Sequence, residues 1–294
     1  MNSEKVFRAM EIFVSTGGFK DLDFFESANV LAEFGIRAFE FSAGRQIEKK
    51  ELMSKLQKSA EKYKIMLHNY FPPQPGAPVL NLGSLNPEVS ESSKRFIRES
   101  INLTGELGID TFGVHAGFLV DPSSAELGNL IRVETLYSRS ESFKQFTANV
   151  FELGDYAAKK GVKLLVENNV LSDANFKNAK VNFLLLDEPE EILEFFAQFQ
   201  GEIGFLLDVG HLKVSSQTLG FDLDEAMASL KHLVAGYHLS DNNGHADEHR
   251  TFGPDAWFLK HLNREVKFAT LELHTHNLDD IANCWRLMES ITNA

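Results

Sequence analysis

The stretch Lys163-Leu-Leu-Val-Glu-Asn-Asn169 decides how the chain is read: a short apolar run, introduced by Gly161 and closed by the carboxylate of Glu167. A glycine in that place suits the left-handed cap that ends a preceding helix. Gly35 and Gly108 stand in the same position, each after a helical pattern and before an apolar run. Short apolar runs that alternate with longer amphipathic stretches signal parallel strands joined by crossover helices. Working outward from Lys163, this rhythm recurs about eight times. It predicts strands over Ala9–Val14, Ala38–Phe41, Ile65–His68, Thr111–His115, Lys163–Val166, Gly204–Leu207, Gly236–Leu239 and Phe268–Leu273. Helical patterns lie between them, over Leu22–Phe34, Glu51–Tyr63, Glu88–Leu107, Ser140–Lys160, Glu190–Phe199, Leu223–His232 and Leu278–Ile291.

Eight such units suggest a closed (β/α)8 barrel, a TIM barrel, as a single domain over residues 1–294. A doubly wound open sheet is the alternative, but it would not place polar residues after so many successive strands. The chain has 294 residues, 43% of them hydrophobic, enough for one large core. Its 25 phenylalanines suit helix-to-sheet packing, because their rings need no hydrogen-bond partner. Two long loops interrupt the rhythm, Phe71–Pro87 with Pro72, Pro73, Pro75 and Pro78, and the Asn-, Ser- and Asp-rich Val170–Asn182. Loops at the carboxyl ends of barrel strands cover the active site, so both are candidate lids.

Cys284 is the sole cysteine, which excludes an intrachain disulfide and a thiolate metal cluster and fits a reducing, cytoplasmic setting. Met1 to Gly18 has no basic segment followed by an apolar core, and no window approaches the roughly 20 apolar residues that span a bilayer. The expectation is an unexported protein without membrane contact. A formal net charge of −13 argues against a broad basic surface for nucleic acid. Nothing in the sequence marks a subunit interface.

The residues that end the predicted strands carry the chemistry. They read Leu-His68-Asn-Tyr, Val-His115-Ala-Gly, Val-Glu167-Asn-Asn, Leu-Asp208-Val-Gly-His211, Tyr-His238-Leu-Ser-Asp241 and Leu-Glu272-Leu-His274. A barrel gathers such residues at one face, although they are far apart in sequence. Clustered carboxylates repel one another unless a cation neutralises them. Mixed imidazole and carboxylate donors suit zinc, manganese or iron(II) better than calcium or magnesium. In Asp208-Val-Gly-His211 a tight turn lets both end residues reach one site. In Asp247-Glu-His249 the outer two point the same way if the loop is extended. The charged run His245–Arg250 also reads as solvated surface, and His232, His261 and His276 as structural or solvent-facing.

Val-Glu167-Asn-Asn, Leu-Asp208-Val-Gly-His211, His238-Leu-Ser-Asp-Asn-Asn-Gly, Asp247-Glu-His249-Arg-Thr-Phe-Gly and Leu-Glu272 resemble the signature blocks of the xylose isomerase-like TIM-barrel superfamily. The resemblance runs from about Ala9 to Ile291. That superfamily holds sugar and sugar-phosphate isomerases and epimerases, a dehydratase branch and the endonuclease IV-type DNA repair enzymes. In epimerase-like members the resemblance implies one divalent metal on Glu167, Asp208, His238 and Glu272. In endonuclease IV-like members it implies three zinc ions, with His68, His115, His211, Asp247 and His249 as the added ligands. All nine positions have candidates here.

Two mechanisms follow. In the isomerase or epimerase reading, Glu167 and Glu272 are acid and base around an enediolate formed from a small sugar or sugar phosphate. His211, Asp247, His249 and Arg250 then hold hydroxyls or a phosphate. In the phosphodiesterase reading, three zinc ions cleave an abasic-site DNA strand. The acidic charge disfavours the second. So does the scarcity of basic residues near the ends of the first two strands, where only Lys20, Arg37 and Arg45 stand.

Overall fold

The computed structural model describes residues 10–42, 44–69, 71–73, 79–275 and 277–293. Eight strands are β1 (Glu11–Ser15), β2 (Ala38–Phe41), β3 (Lys64–Leu67), β4 (Thr111–His115), β5 (Lys163–Glu167), β6 (Gly204–Asp208), β7 (Val234–Leu239) and β8 (Phe268–Leu271). Every ladder is parallel, in the order β3-β2-β1-β8-β7-β6-β5-β4. The first strand therefore pairs with the last. The end strands β3 and β4 lie against each other, and the sheet curls into a nearly closed (β/α)8 barrel. That order excludes the doubly wound sheet.

The helices are α1 (Phe24–Ala32), α2 (Lys49–Lys62), α3 (Pro87–Glu106), α4 (Arg139–Ala158), α5 (Asp173–Ala179), α6 (Pro189–Phe196), α7 (Val209–Leu219), α8 (Leu223–Leu230) and α9 (Leu278–Thr292). Their starts are locally encoded. At α1 the Asp23 carboxylate accepts from the N–H groups of Phe25 and Glu26, while Glu26 accepts from Asp23 N–H. This reciprocal cap satisfies donors that a helix start leaves unpaired. Phenylalanines fill the interface between α4 and α6: the Phe195 ring lies 5.1 Å from Phe146 and 4.9 Å from Phe199. No helix among the described residues is long and apolar enough to cross a membrane.

Two helices depart from the sequence reading. α5 forms inside the segment read as the loop Val170–Asn182. α7 follows β6 directly and was not anticipated, because Val209, Gly210, His211, Leu212, Val214, Ser215 and Ser216 are all buried. A helix enclosed on most sides has no polar face to reveal its period. Within the other candidate lid, Phe71–Pro87, residues 74–78 with Pro75 and Pro78 lie outside the described residues.

The barrel interior is layered by the two-residue period of its strands. One layer is apolar: Phe13, Ala38, Met66, Leu165, Leu206 and Phe268 form a cluster separate from the main core. The two remaining strands contribute Gly113 and Gly236. A Cβ at Gly236 would stand 2.3 Å from the Phe268 ring, and one at Gly113 would stand 3.0 Å from Leu206. The glycines thus make room for their larger neighbours. Gly236→Ala is expected to cost about 1–3 kcal/mol, read as a lower urea midpoint with an unchanged m-value. An unaltered midpoint would show that Phe268 can move aside freely.

Two residues beyond that layer, toward the carboxyl ends, the inward positions become Ser15, Glu40, His68, His115, Glu167, Asp208, His238 and Thr270. The ladders hold several of them level: His115 pairs with Glu167, Asp208 with His238, and His238 with Thr270. The apolar layer is the floor on which the polar one rests.

Candidate metal centre and active site

Glu167 ends β5, Asp208 ends β6, His238 lies near the end of β7 and Glu272 follows β8. One donor atom from each falls within 4.8 Å of the others. His238 Nδ1 is 3.0 Å from Glu167 Oε1 and 3.4 Å from Glu272 Oε2. A second group, His68, His115 and Glu167, meets the same distance limit. His115 Nδ1 lies 3.4 Å from Glu167 Oε2, and His68 Nε2 lies 3.7 Å from Glu272 Oε1.

The third set enters from above. His211 sits in the first turn of α7, whose N-cap is Asp208; the Asp208 carboxylate accepts from His211 N–H at 2.7 Å. Gly210 permits that turn, since a Cβ there would meet Ser240 Oγ at 2.9 Å. His211 Nδ1 donates to the Asn168 carbonyl at 2.8 Å, which leaves Nε2 facing Asp247 Oδ2 at 3.2 Å. Asp247 Oδ2 is also 2.9 Å from His249 Nε2. His249 has a positive φ of 47°, an uncommon left-handed conformation that histidine adopts more readily than most residues, and its imidazole is mostly buried against Asp247. Asn168 locks β5 to β6: it accepts from Asp208 N–H and donates to the Asp208 carbonyl.

Glu40 belongs to the same cluster and was not singled out in the sequence. Its Oε2 is 3.3 Å from His238 Nε2 and accepts from Thr270 Oγ1. The signal was present in Ala38-Phe-Glu-Phe41, a carboxylate at an inward position of an otherwise apolar strand, two residues beyond Ala38. Strand-end reading passes over it.

These groups strongly perturb one another. Against the effect of burial, His115, His238 and His211 hold the Glu167 carboxyl at about 2. Burial opposes ionisation of Glu272 too, but His238, His249 and His68 keep its carboxyl well below the usual range. Desolvation would lower His211 and His238, yet the carboxylates around each raise both well above an ordinary imidazole. His249 is raised to about 9 in the same way, by Asp247, Glu272 and Asp208. Burial pushes His115 down to about 4. Asp208 is the exception among the carboxylates: burial, with Asp247, Glu167 and Glu272 nearby, lifts it to about 6 despite His211.

Asp208 Oδ2, His68 Nε2, His249 Nδ1 and Asp247 Oδ1 are buried without a hydrogen-bond partner. Buried polar atoms are normally satisfied, and orphans gathered in one place are what a divalent cation relieves. Imidazole and carboxylate donors in these numbers fit such an ion.

A cavity of about 770 Å³ opens over the cluster and reaches Glu272, His115, His211, Asp247 and His249. Glu167, Asp208 and His238 are 0–1% exposed and lie beneath. Arg250 stays out of the constellation: its guanidinium pairs with Glu248 at 2.6 Å and is 56% exposed. The run His245–Arg250 therefore divides, with Asp247 and His249 turned inward and His245 and Arg250 toward solvent. Lys20 lines the cavity. Arg45 pairs with Glu26, and Arg37 precedes β2, donating to the carbonyls of Ala32 and Ile36. Arg37 thus sits at the amino end of the barrel, not at the end where the sequence reading put it. His261 pairs with Asp224 on the surface, His232 is exposed, and His276 lies outside the described residues.

The model of the xylose isomerase-like TIM barrel family matches residues 28–283. The chain belongs to this family. Curated relatives of this xylose isomerase-like barrel include the uncharacterized protein MJ1614 of Methanocaldococcus jannaschii, 21% identical over 70% of each chain. Among solved structures, a D-tagatose 3-epimerase-like protein is 20% identical, with a TM-score of 0.70 and 97% of each chain covered. The TTHB071 protein of Thermus thermophilus, soaked with zinc chloride, is also 20% identical, with a TM-score of 0.63 over 96% of this chain and 99% of that one. At such identities the likeness is one of fold.

Proposed function

We propose that the protein is a divalent-metal-dependent isomerase or epimerase of sugars or sugar phosphates. The observation that carries this reading is the convergence of Glu167, Asp208, His238 and Glu272 at the floor of a cavity. Those four would hold the ion, with zinc or manganese favoured by the donor set. When bound, the ion supplies Lewis-acid polarisation of a carbonyl oxygen. The D-tagatose 3-epimerase-like and zinc-soaked neighbours support the sugar and the metal.

Of the four, Glu272 is the one the cavity reaches, so it takes the proton from the carbon beside the carbonyl and leaves an enediolate. Glu167 is assigned the return of a proton in epimerisation, a proton drawn from solvent during the cycle because the surrounding imidazoles keep its carboxyl ionised at rest. His211, Asp247 and His249 bind neighbouring hydroxyls. In heavy water, a converted ketose is expected to gain deuterium at that carbon, since the proton removed stays on Glu272 while the one returned through Glu167 comes from solvent. Turnover with only protium there, seen by NMR, would sink the scheme.

Glu40 acts through His238. Holding Nε2–H leaves Nδ1 free for the ion, as partners of metal-bound imidazoles generally do. Glu40→Leu is expected to weaken zinc binding by about 10–100-fold in calorimetry, and Glu40→Gln, which can still accept, by less. Equal affinities in all three proteins would remove Glu40 from this role.

A trinuclear phosphodiesterase is the second reading, favoured by the grouping of His68, His115 and Glu167 and by the Asp247 pairs with His211 and His249. One metal equivalent per chain after purification without chelator supports isomerisation. Three equivalents of zinc, together with cleavage of an abasic-site duplex, support the alternative.

A further inference from the structure

The cavity over the polar cluster is larger and less polar than a bare monosaccharide requires. Its volume of about 770 Å³ lies in the upper part of the roughly 300–1,000 Å³ range that encloses drug-sized molecules. One flank is hydrocarbon, formed by Leu127, Leu130, Ile131, Val170, Phe183 and Leu184. Leu130 is 53% exposed, and of the large apolar side chains so exposed among the described residues it alone lines this cavity.

Hydrogen bonds hold this flank in place. Asn175 of α5 accepts from Ile131 N–H at 2.8 Å and donates to the Asn129 carbonyl at 3.1 Å, while Asn178 donates to the Ile131 carbonyl at 3.1 Å. Phe118 and Leu184 meet in an antiparallel bridge, and the Asn169 amide donates to the carbonyls of Gly117 and Leu185. Ile131 N–H and the carbonyls of Asn129 and Ile131 are occupied by these partners, and leucine and isoleucine side chains line the space.

A sugar hydroxyl set against Leu130 or Ile131 would lose water without gaining a partner. An aromatic or aliphatic group set there removes apolar surface from water on both sides. Lys20 is the only lysine or arginine among the lining residues, and the apolar flank itself carries no cation to hold a polyanion. We propose that the substrate is a hydroxy-carbonyl compound bearing an apolar substituent, such as a glycoside that carries a ketone on its sugar ring and an aryl aglycone, with the aglycone seated on the flank from Leu127 to Ile131. For the polar end of the ligand this rests on the sugar-directed reading above.

The test is calorimetric titration of methyl and phenyl glycosides of one ring-oxidised (keto) pyranose into zinc-reconstituted protein. The phenyl glycoside is expected to bind at least about tenfold tighter, and Leu130→Asp to bring that ratio toward one. A ratio near one in the unmodified protein, a ratio indifferent to Leu130→Asp, or no binding of the phenyl glycoside at millimolar concentration overturns the proposal. The heavy-water experiment fails or succeeds separately. A preserved affinity ratio without exchange would remove the proton-transfer reading and keep the subsite, whereas exchange with a ratio of one would do the reverse.

Discussion

Glu272→Gln is expected to lower turnover by roughly 10²–10⁴-fold, the range that a positioned general base contributes. Glu272 alone of the four converging residues lines the cavity. Its Oε2 is 3.4 Å from His238 Nδ1 and 4.0 Å from His249 Nδ1, and its Oε1 is 3.7 Å from His68 Nε2. These imidazoles keep the carboxyl ionised, the state a base needs. Glutamine keeps the shape and one oxygen but cannot take a proton. The variant should therefore fold normally by circular dichroism and still bind zinc, less tightly, while deuterium uptake by a ketose falls in step with turnover. Turnover close to that of the unmodified protein would strip Glu272 of its assigned role.

Chelation is expected to abolish turnover, and the effect on stability should grow with pH. An ion present at about 100 times its dissociation constant stabilises by about 2.7 kcal/mol, roughly 5 °C in Tm for a chain of this size. In the metal-free protein His249 is raised to about 9 by Asp247, Glu272 and Asp208 against its burial. Its protonated pairing therefore stabilises fully below an ordinary imidazole value of about 6.5. That contribution fades as pH climbs through 9. An ion held by Glu272, whose Oε2 lies 4.0 Å from His249 Nδ1, disfavours the charged imidazole through its own charge, so proton and metal oppose each other over the same interval. The difference in Tm between zinc-loaded and chelated protein should be larger at about pH 8.5, well inside this interval, than at about pH 6, below it. Titrations in buffers of different ionisation enthalpy should register proton release. A Tm difference that is the same at both pH values would mean that no imidazole proton is displaced.

Much of this arrangement was legible in the linear chain because strands have a period of two. Leu165 and Glu167, Leu206 and Asp208, and Met66 and His68 are successive inward positions, and an apolar run that ends on a polar residue betrays them. Helix α7 was hidden because burial on most sides erases amphipathic contrast. Glu40 was hidden because it interrupts an apolar strand instead of ending one. The charged run His245–Arg250 could be read inward or outward, and an extended backbone does not choose between them.

The order of the strands and of the helices between them, α5 and α7 apart, and the level at which the polar layer begins are written in the chain, since both follow from local hydrophobic period and glycine caps. Tertiary structure alone decided which side chains meet. Closure places β1 beside β8, and it brings Glu40 within 3.3 Å of His238, 198 residues away. It also turned His249 inward and left Arg250 outside. Such contacts depend on how strands curve around an axis and how loops return over it, and no run of neighbouring residues encodes either.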